Sequence, residues 1–142
     1  MGARLDHVAV AVRDIAEALA FYRDALGLEP GAVEEVPSQG VRAHFIDLGG
    51  TWLELLEPLG ADSPVARFLE RRGPGLHHVT LRVDDIHGAL ARLRARGVRL
   101  VDEVPRRGAR GALVAFVHPS SAHGVLVELK QPAPDTAEAS VP

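Results

Sequence analysis

The sequence predicts an α+β fold, two tandem β-α-β-β-β modules whose strands pair into an eight-stranded, curled half-barrel. Three observations carry this. Asp6-His7-Val8-Ala9-Val10-Ala11-Val12-Arg13-Asp14-Ile15-Ala16-Glu17-Ala18-Leu19-Ala20 recurs as His77-His78-Val79-Thr80-Leu81-Arg82-Val83-Asp84-Asp85-Ile86-His87-Gly88-Ala89-Leu90-Ala91, identical at 8 of 15 positions at a constant offset of 71 residues. A second echo closes each half, Trp52-Leu53-Glu54-Leu55 against Leu126-Val127-Glu128-Leu129. Within each half the pattern runs in one order: a β-branched strand, a capped helix, then three more strands. A chain of 142 residues is one domain, or two fused modules of roughly 70 residues sharing a core.

The elements follow in turn. Leu5 to Val12 is the first strand. Asp14 can cap a helix, with Glu17 three residues on, and Ile15, Ala18, Leu19, Tyr22 and Leu26 fall at helical spacing before Gly27 stops it. Strands are expected at Leu28 to Val36, Val41 to Leu48 and Thr51 to Glu57, with Gly49-Gly50 turning the last hairpin. Ser63-Pro64, a cap followed by proline at the first helical position, opens a linker helix over 63–72, and Gly73-Pro74-Gly75 resets the chain. In the second half Val79 to Val83 is the strand, Asp85 the cap and Gly97 the stop, with Leu90 and Leu93 on the inner helix face. Strands are then expected at Val98 to Val104, Leu113 to Val117 and Val125 to Leu129. The modules thus span about 4–59 and 75–130 of a single domain over 1–130. The proline-rich stretch 131–142 reads as a loose tail.

Composition narrows the chemistry. With no cysteine, disulfides and thiolate metal sites are excluded. No 18-residue apolar run exists, and the N-terminus lacks the apolar core of a signal peptide, so no membrane partner and a cytoplasmic location are expected. A net charge of −3 argues against nucleic acid as the main partner. The cationic charge is 15 Arg to one Lys, and seven of these arginines fall between Arg92 and Arg110, which suits an anionic ligand.

His7 and His78 recur near the start of each half, and Glu54 and Glu128 near its end. Either carboxylate alone, alternating with large aliphatics, reads as an ordinary solvent-facing position of a half-exposed strand. All four in duplicated register mark a site instead. Ala9 and Ala11 share a strand face with His7 and leave space before it. Two imidazoles and two carboxylates form an all-nitrogen-and-oxygen shell that suits one Co²⁺, Mn²⁺, Ni²⁺, Zn²⁺ or Fe²⁺ per chain. Four ligands on a six-coordinate ion leave two positions for a chelating substrate, whereas a closed structural zinc site leaves none. The expected task is Lewis-acid stabilisation of a chelated oxyanion.

Further text has its own pattern: Glu35-Val36-Pro37-Ser38-Gln39-Gly40-Val41, Glu54-Leu55-Leu56-Glu57-Pro58-Leu59, Asp62-Ser63-Pro64-Val65-Ala66-Arg67-Phe68-Leu69, Gly75-Leu76-His77-His78-Val79, and His118-Pro119 followed by Gly124-Val125-Leu126-Val127-Glu128-Leu129. In order and spacing these segments, with Asp6 to Val12 and Arg82 to Ile86, resemble the methylmalonyl-CoA epimerases of the vicinal oxygen chelate (glyoxalase/dioxygenase) superfamily, over essentially the whole chain to Lys130. The resemblance implies a glyoxalase-like fold and His7, Glu54, His78 and Glu128 as metal ligands. Repeat register selects His78 over His77, which aligns with Asp6 and should face the opposite side. It also implies inversion at carbon 2 of a methylmalonyl thioester, with an acyl-CoA substrate and no organic cofactor.

Epimerisation needs one group to remove a proton from one face and another to return it on the other. Glu128 is the first candidate. Some epimerases carry a glutamate where Ala43 stands here, so the second is left among Glu54, a metal-held water and His44. Strand alternation puts His44 on the face opposite Ala43, and a lone strand histidine commonly lies at the surface. Gln39 is a candidate donor to the substrate carboxylate. Arg106, Arg107 and Arg110, in a glycine-containing loop, and Ser120 are candidates for the coenzyme A phosphates, although a solvated arginine loop explains the first three equally well. A glyoxalase I-type isomerase (lactoylglutathione lyase) shares the same shell and is the alternative, beside a non-catalytic small-molecule-binding member. An extradiol dioxygenase would use two His and one Glu around iron, without a fourth ligand. Exposed strand edges favour a homodimer.

Overall fold

The computed structural model describes residues 2–134. The chain divides into two compact units: His7–His77, and the described residues from His78 onward together with the chain start through Asp6. The division falls inside β1 (Ala3–Ala11) and β5 (Gly75–Val83).

In the first unit β1 leads into helix α1 (Ile15–Leu19), which continues as a π-helical stretch over Ala20–Ala25. There follow β2 (Pro30–Val36), β3 (Val41–Asp47), β4 (Trp52–Pro58) and helix α2 (Pro64–Arg72). The strands lie in the order β2-β3-β4-β1, with β1 parallel to β4 and the other pairs antiparallel. The second unit holds β5, helix α3 (Ile86–Ala95), a two-residue β6 (Arg106–Arg107), β7 (Leu113–Val117) and β8 (Val127–Gln131), in the order β5-β8-β7-β6. Here β5 runs parallel to β8.

Each unit packs one sheet face under its helix. Val12, Ile15, Leu19, Ile46 and Leu55 form the first core, and Val83, Ile86, Ala89, Leu90, Leu100, Ala115, Val117 and Leu129 the second. All strand residues among them have one parity within their strand, so the alternate residues occupy the other sheet face.

The helix starts are built alike. The Asp14 carboxylate accepts the Glu17 N–H at 3.3 Å, and Asp85 accepts the Gly88 N–H at 3.1 Å. A second pair of contacts is also duplicated: the Ile15 N–H donates to Glu57 Oε1 (3.4 Å) and the Ile86 N–H to Gln131 Oε1 (2.9 Å). These side chains sit three residues past Glu54 and Glu128, so one strand end supplies both a candidate ligand and a partner for an orphan helical N–H. Gly27 and Gly97 end the helices at φ 77° in both cases, a conformation that favours glycine.

Two expectations are corrected. Val98 to Val104 is not a strand: only Leu100 bridges to Val117. The N–H groups of Val101 and Asp102 both reach the Phe116 carbonyl, while the Asp102 carboxylate takes the Phe116 N–H at 2.8 Å. A side chain thus replaces a ladder partner, the chain bulges, and pairing resumes at Arg106 and Arg107. Gln131, expected to open a loose tail, instead ends β8 and caps α3. Positions 135–142 lie outside the described residues. Among the described residues, no helix is long and apolar enough to cross a membrane.

Candidate active site

Strand alternation decides where each candidate lies. In β4, Leu53 and Leu55 pack under α1, so Glu54 occupies the opposite face. Register adds its neighbours on that face: Ala9 across the parallel β1 and Phe45 across the antiparallel β3. In β8, Val127 and Leu129 pack under α3 and Glu128 takes the opposite face, beside Thr80 on β5 and Phe116 on β7. Each carboxylate therefore has a phenylalanine directly across the antiparallel pair and a histidine two residues before its parallel-strand partner.

All four predicted ligands are buried, with 6 % of His7, 7 % of Glu54, 4 % of His78 and 4 % of Glu128 exposed. That overturns the solvent-facing reading of the glutamates. His7 Nε2 lies 3.0 Å from Glu54 Oε1 in one unit, and His78 Nε2 lies 3.2 Å from Glu128 Oε1 in the other. Burying a carboxylate costs several kcal/mol unless it is paired, on the order of the penalty for any desolvated ion, so both pairs are compensated sites and not chance burials. The His78 ring also meets Phe116 edge-on, with centroids 5.3 Å apart. His77 turns to the other side of β5, as register requires, and packs on Phe68 at 4.9 Å.

The substrate-binding candidates separate. Within β6, Arg106 pairs with Val114 and shares the face of Phe116 and Glu128, whereas Arg107 pairs with Leu113 on the helix side. Arg106 lies over the Phe116 ring at 5.9 Å and is held by Asp102 at 3.2 Å. Arg107 donates to the Gly111 carbonyl, and Arg110 sits in a left-handed turn at φ 58°. Arg106 and Arg107 thus occupy opposite sheet faces. Ser120 is exposed, its N–H bound to His118 Nδ1, in the turn Pro119–Ser121. Gln39 lies in the turn Pro37–Gln39, half-buried, ahead of Gly40, where a Cβ would come within 2.7 Å of Ser63 Cβ.

His44 does not join Glu54. It pairs with Leu55, on the helix side of β3, and is buried instead of lying at the surface. Burial, assisted by the positive charge of Arg23, pushes its imidazole below the usual histidine range. Ala43 is fully buried on the face of Phe45, with Glu34 directly across on β2.

Sequence reasoning missed Thr80, Phe45, Phe116, Asp6 and Glu34. The two phenylalanines repeat at an interval of 71 residues, the interval of the histidines, and that signal was available. Asp6 is buried beside His7 in sequence but takes Arg82 (2.9 Å) and Lys130 (3.0 Å) as partners within the second unit, tying the start of β1 to it.

Comparison with known proteins agrees with this anatomy. Residues 6–116 match the family model of the glyoxalase/bleomycin resistance protein/dioxygenase superfamily. The chain is 48% identical over 129 residues to the mitochondrial methylmalonyl-CoA epimerase of Bos taurus, covering 90% of this chain and 74% of the relative. It is 47% identical over 130 residues to the ethylmalonyl-CoA/methylmalonyl-CoA epimerase of Cereibacter sphaeroides, covering 90% and 97%. The crystal structure of methylmalonyl-CoA epimerase from Mycobacterium tuberculosis superimposes with a TM-score of 0.88 at 40% identity, over 96% of this chain and 92% of that one. The glyoxalase-like fold read from the duplicated text is therefore the fold of this chain. With a superfamily model spanning most of the sequence and relatives at 47–48% identity matched over 90% of it, the chain belongs to the methylmalonyl-CoA epimerase family of the glyoxalase/bleomycin resistance protein/dioxygenase superfamily.

Proposed function

We propose that the protein is an isomerase that interconverts (2R)- and (2S)-methylmalonyl-CoA. The observation that carries this is the duplicated pair of buried carboxylates, each within 3.0 to 3.2 Å of a histidine Nε2, in a chain of this family. Inversion at carbon 2 requires two proton-transferring groups, and the duplication supplies two.

The donor set fits a divalent ion. Two imidazole nitrogens and two carboxylate oxygens, buried and without thiolate competition, match Co²⁺, Mn²⁺, Ni²⁺ or Zn²⁺. His7, Glu54, His78 and Glu128 would hold one such ion per chain. When bound, it supplies Lewis-acid stabilisation of the negative charge that develops on the substrate's oxygens.

The remaining chemistry belongs to the side chains. Glu128 accepts the C2 proton at a carboxylate oxygen, and the electron pair of the broken C–H bond passes into the thioester carbonyl. A proton returns to C2 on the other face, and Glu54 is our candidate for the group that delivers it. The carboxylates then exchange protons with water and reset, so each turnover exposes C2 to solvent hydrogen. His44 takes no part, because it shares a strand face with Leu55 and not with Glu54. Phe45 and Phe116, across from the two carboxylates, limit water beside them. Arg106, on the face of Glu128, is our candidate for the coenzyme A phosphates, and Gln39 for the substrate carboxylate. Arg107, Arg110 and Ser120 serve at most the outer part of the coenzyme. We place the protein in the cytoplasm as a homodimer, with β2 and β6 leaving outer edges that a partner could cover.

The test is incubation with methylmalonyl-CoA in D₂O with Co²⁺ supplied. Label should enter at carbon 2 as the isomers interconvert. Absence of exchange, with consumption of the methylglyoxal–glutathione hemithioacetal, would assign the protein to the glyoxalase I-type reaction instead.

A further inference from the structure

The cross-strand partners and the nearby histidine of the two carboxylates repeat except at one position. Glu54 and Glu128 each pair with a phenylalanine across the antiparallel neighbour, Phe45 and Phe116. Each has a histidine Nε2 at 3.0 to 3.2 Å. On the parallel neighbour, however, Glu54 faces Ala9 and Glu128 faces Thr80. Thr80 is fully buried at 0 % exposure, and its hydroxyl donates to Glu128 Oε1 at 2.6 Å. That length belongs to charge-assisted O–H···O⁻ bonds, which run at about 2.5–2.7 Å and are roughly twice as strong as neutral ones. The oxygen it holds is the one facing His78 Nε2.

A buried hydroxyl is costly to place in an apolar strand without a partner, and the rest of β5 needs no polar residue there. The equivalent position in the first unit, Ala9, is also 0 % exposed. Alanine thus satisfies the packing requirement at that register, and the hydroxyl of Thr80 serves Glu128.

We infer that Thr80 is a positioning residue: its hydroxyl fixes the rotamer of Glu128 and holds this carboxylate in one orientation, whereas the register neighbour of Glu54 on β1 is an alanine with no hydroxyl to offer. The two carboxylates of a duplicated fold become non-equivalent through one side chain. For its kinetic arm this inference rests on the epimerase reading. For its metal arm it does not.

The experiment compares Thr80→Val, which keeps the shape and removes the hydroxyl, with Thr80→Ser, which keeps the hydroxyl and removes the methyl. Co²⁺ is titrated into each full-length protein and the visible absorption spectrum recorded, and C2 exchange is then measured in D₂O. Thr80→Val should lose roughly 10- to 100-fold in Co²⁺ affinity or in kcat, the usual scale for removing a partner that orients a metal ligand, with an altered Co²⁺ spectrum and little change in KM. Thr80→Ser should stay within about twofold of the parent in each, since it retains the donor. A Thr80→Val protein with unchanged spectrum, affinity and kcat overturns the inference. So does a Thr80→Ser protein impaired as badly as Thr80→Val, because the methyl would then be what matters. If the parent protein fails to exchange C2 but Thr80→Val alone alters the Co²⁺ spectrum, the substrate reading falls and the positioning role stands.

Discussion

Replacing Glu128 by glutamine isolates the step that matters most. The side chain is 4 % exposed and meets the Thr80 hydroxyl at 2.6 Å and His78 Nε2 at 3.2 Å. Glutamine has nearly the same volume, and its amide oxygen still accepts from Thr80. The fold should therefore survive, and the metal shell should keep an oxygen, though a neutral and weaker one. What disappears is the capacity to accept the C2 proton. Losing a positioned acid or base removes about 10²- to 10⁴-fold of rate. At about 1.4 kcal/mol per tenfold, that raises the barrier by roughly 3 to 5 kcal/mol. In Glu128→Gln, kcat for C2 exchange in D₂O should thus fall at least about 10²-fold, with KM little changed and bound metal only modestly lower. Exchange kinetics on protein of measured metal content decide the matter. A Glu128→Gln protein that holds its metal and exchanges at the parent rate would refute the assignment and pass the role to Glu54.

Other consequences are sharper at the neighbouring residues. His7→Ala and His78→Ala should lose Co²⁺ binding and activity together, while His77→Ala, whose ring packs on Phe68, should keep both within about threefold in a Co²⁺ titration. His44 is held below its ordinary pKa by burial, so between that ordinary value and its folded value the unfolded chain binds a proton that the folded chain does not. Stability should accordingly fall as pH drops through 6.5, and in melts from pH 8 to pH 5 His44→Leu should show a shallower loss than the parent. Asp85→Ala removes the cap of α3 and should cost about 1 kcal/mol, seen as a drop of roughly 2–5 °C in Tm. Ala43→Glu places a carboxylate at a fully buried position directly across from Glu34, and should lower Tm rather than raise exchange.

The sequence was legible where a physical requirement leaves a periodic or punctuating trace. Capping aspartates, helix-ending glycines and the alternation of glutamate with leucine or valine each announce one conformation, and Asp14, Asp85, Gly27 and Gly97 all act as read. The duplicated register put His7 and Glu54 on one strand face, and His78 and Glu128 on another, because period-2 alternation is a local rule. It failed where a side chain intervened in the ladder. Val98 to Val104 has strand composition, yet Asp102 captures the Phe116 N–H and displaces the pairing to Arg106. For the arginines, adjacency in sequence says little about adjacency in space, because a two-residue strand sends Arg106 and Arg107 to opposite sheet faces. Thr80 left no trace, since a threonine is an ordinary β residue until its register partner is known.

That last point bears on how a duplicated fold performs an asymmetric reaction. Epimerisation at carbon 2 passes through a planar enolate that loses its proton on one face and regains one on the other, so the group that removes the proton and the group that returns it work on opposite faces. A perfect repeat would offer two identical carboxylates. Here the histidine and the phenylalanine recur at both, because any buried carboxylate in this setting needs a polar partner and a dry wall. The parallel-strand neighbour is under no such demand, since alanine already fills the space beside Glu54. Divergence at this position therefore carries no cost to either core, and the hydroxyl placed there bonds Glu128. The energetic needs shared by the two halves fix what is repeated, and the chemistry that distinguishes the two faces of the substrate uses the register position those needs leave open.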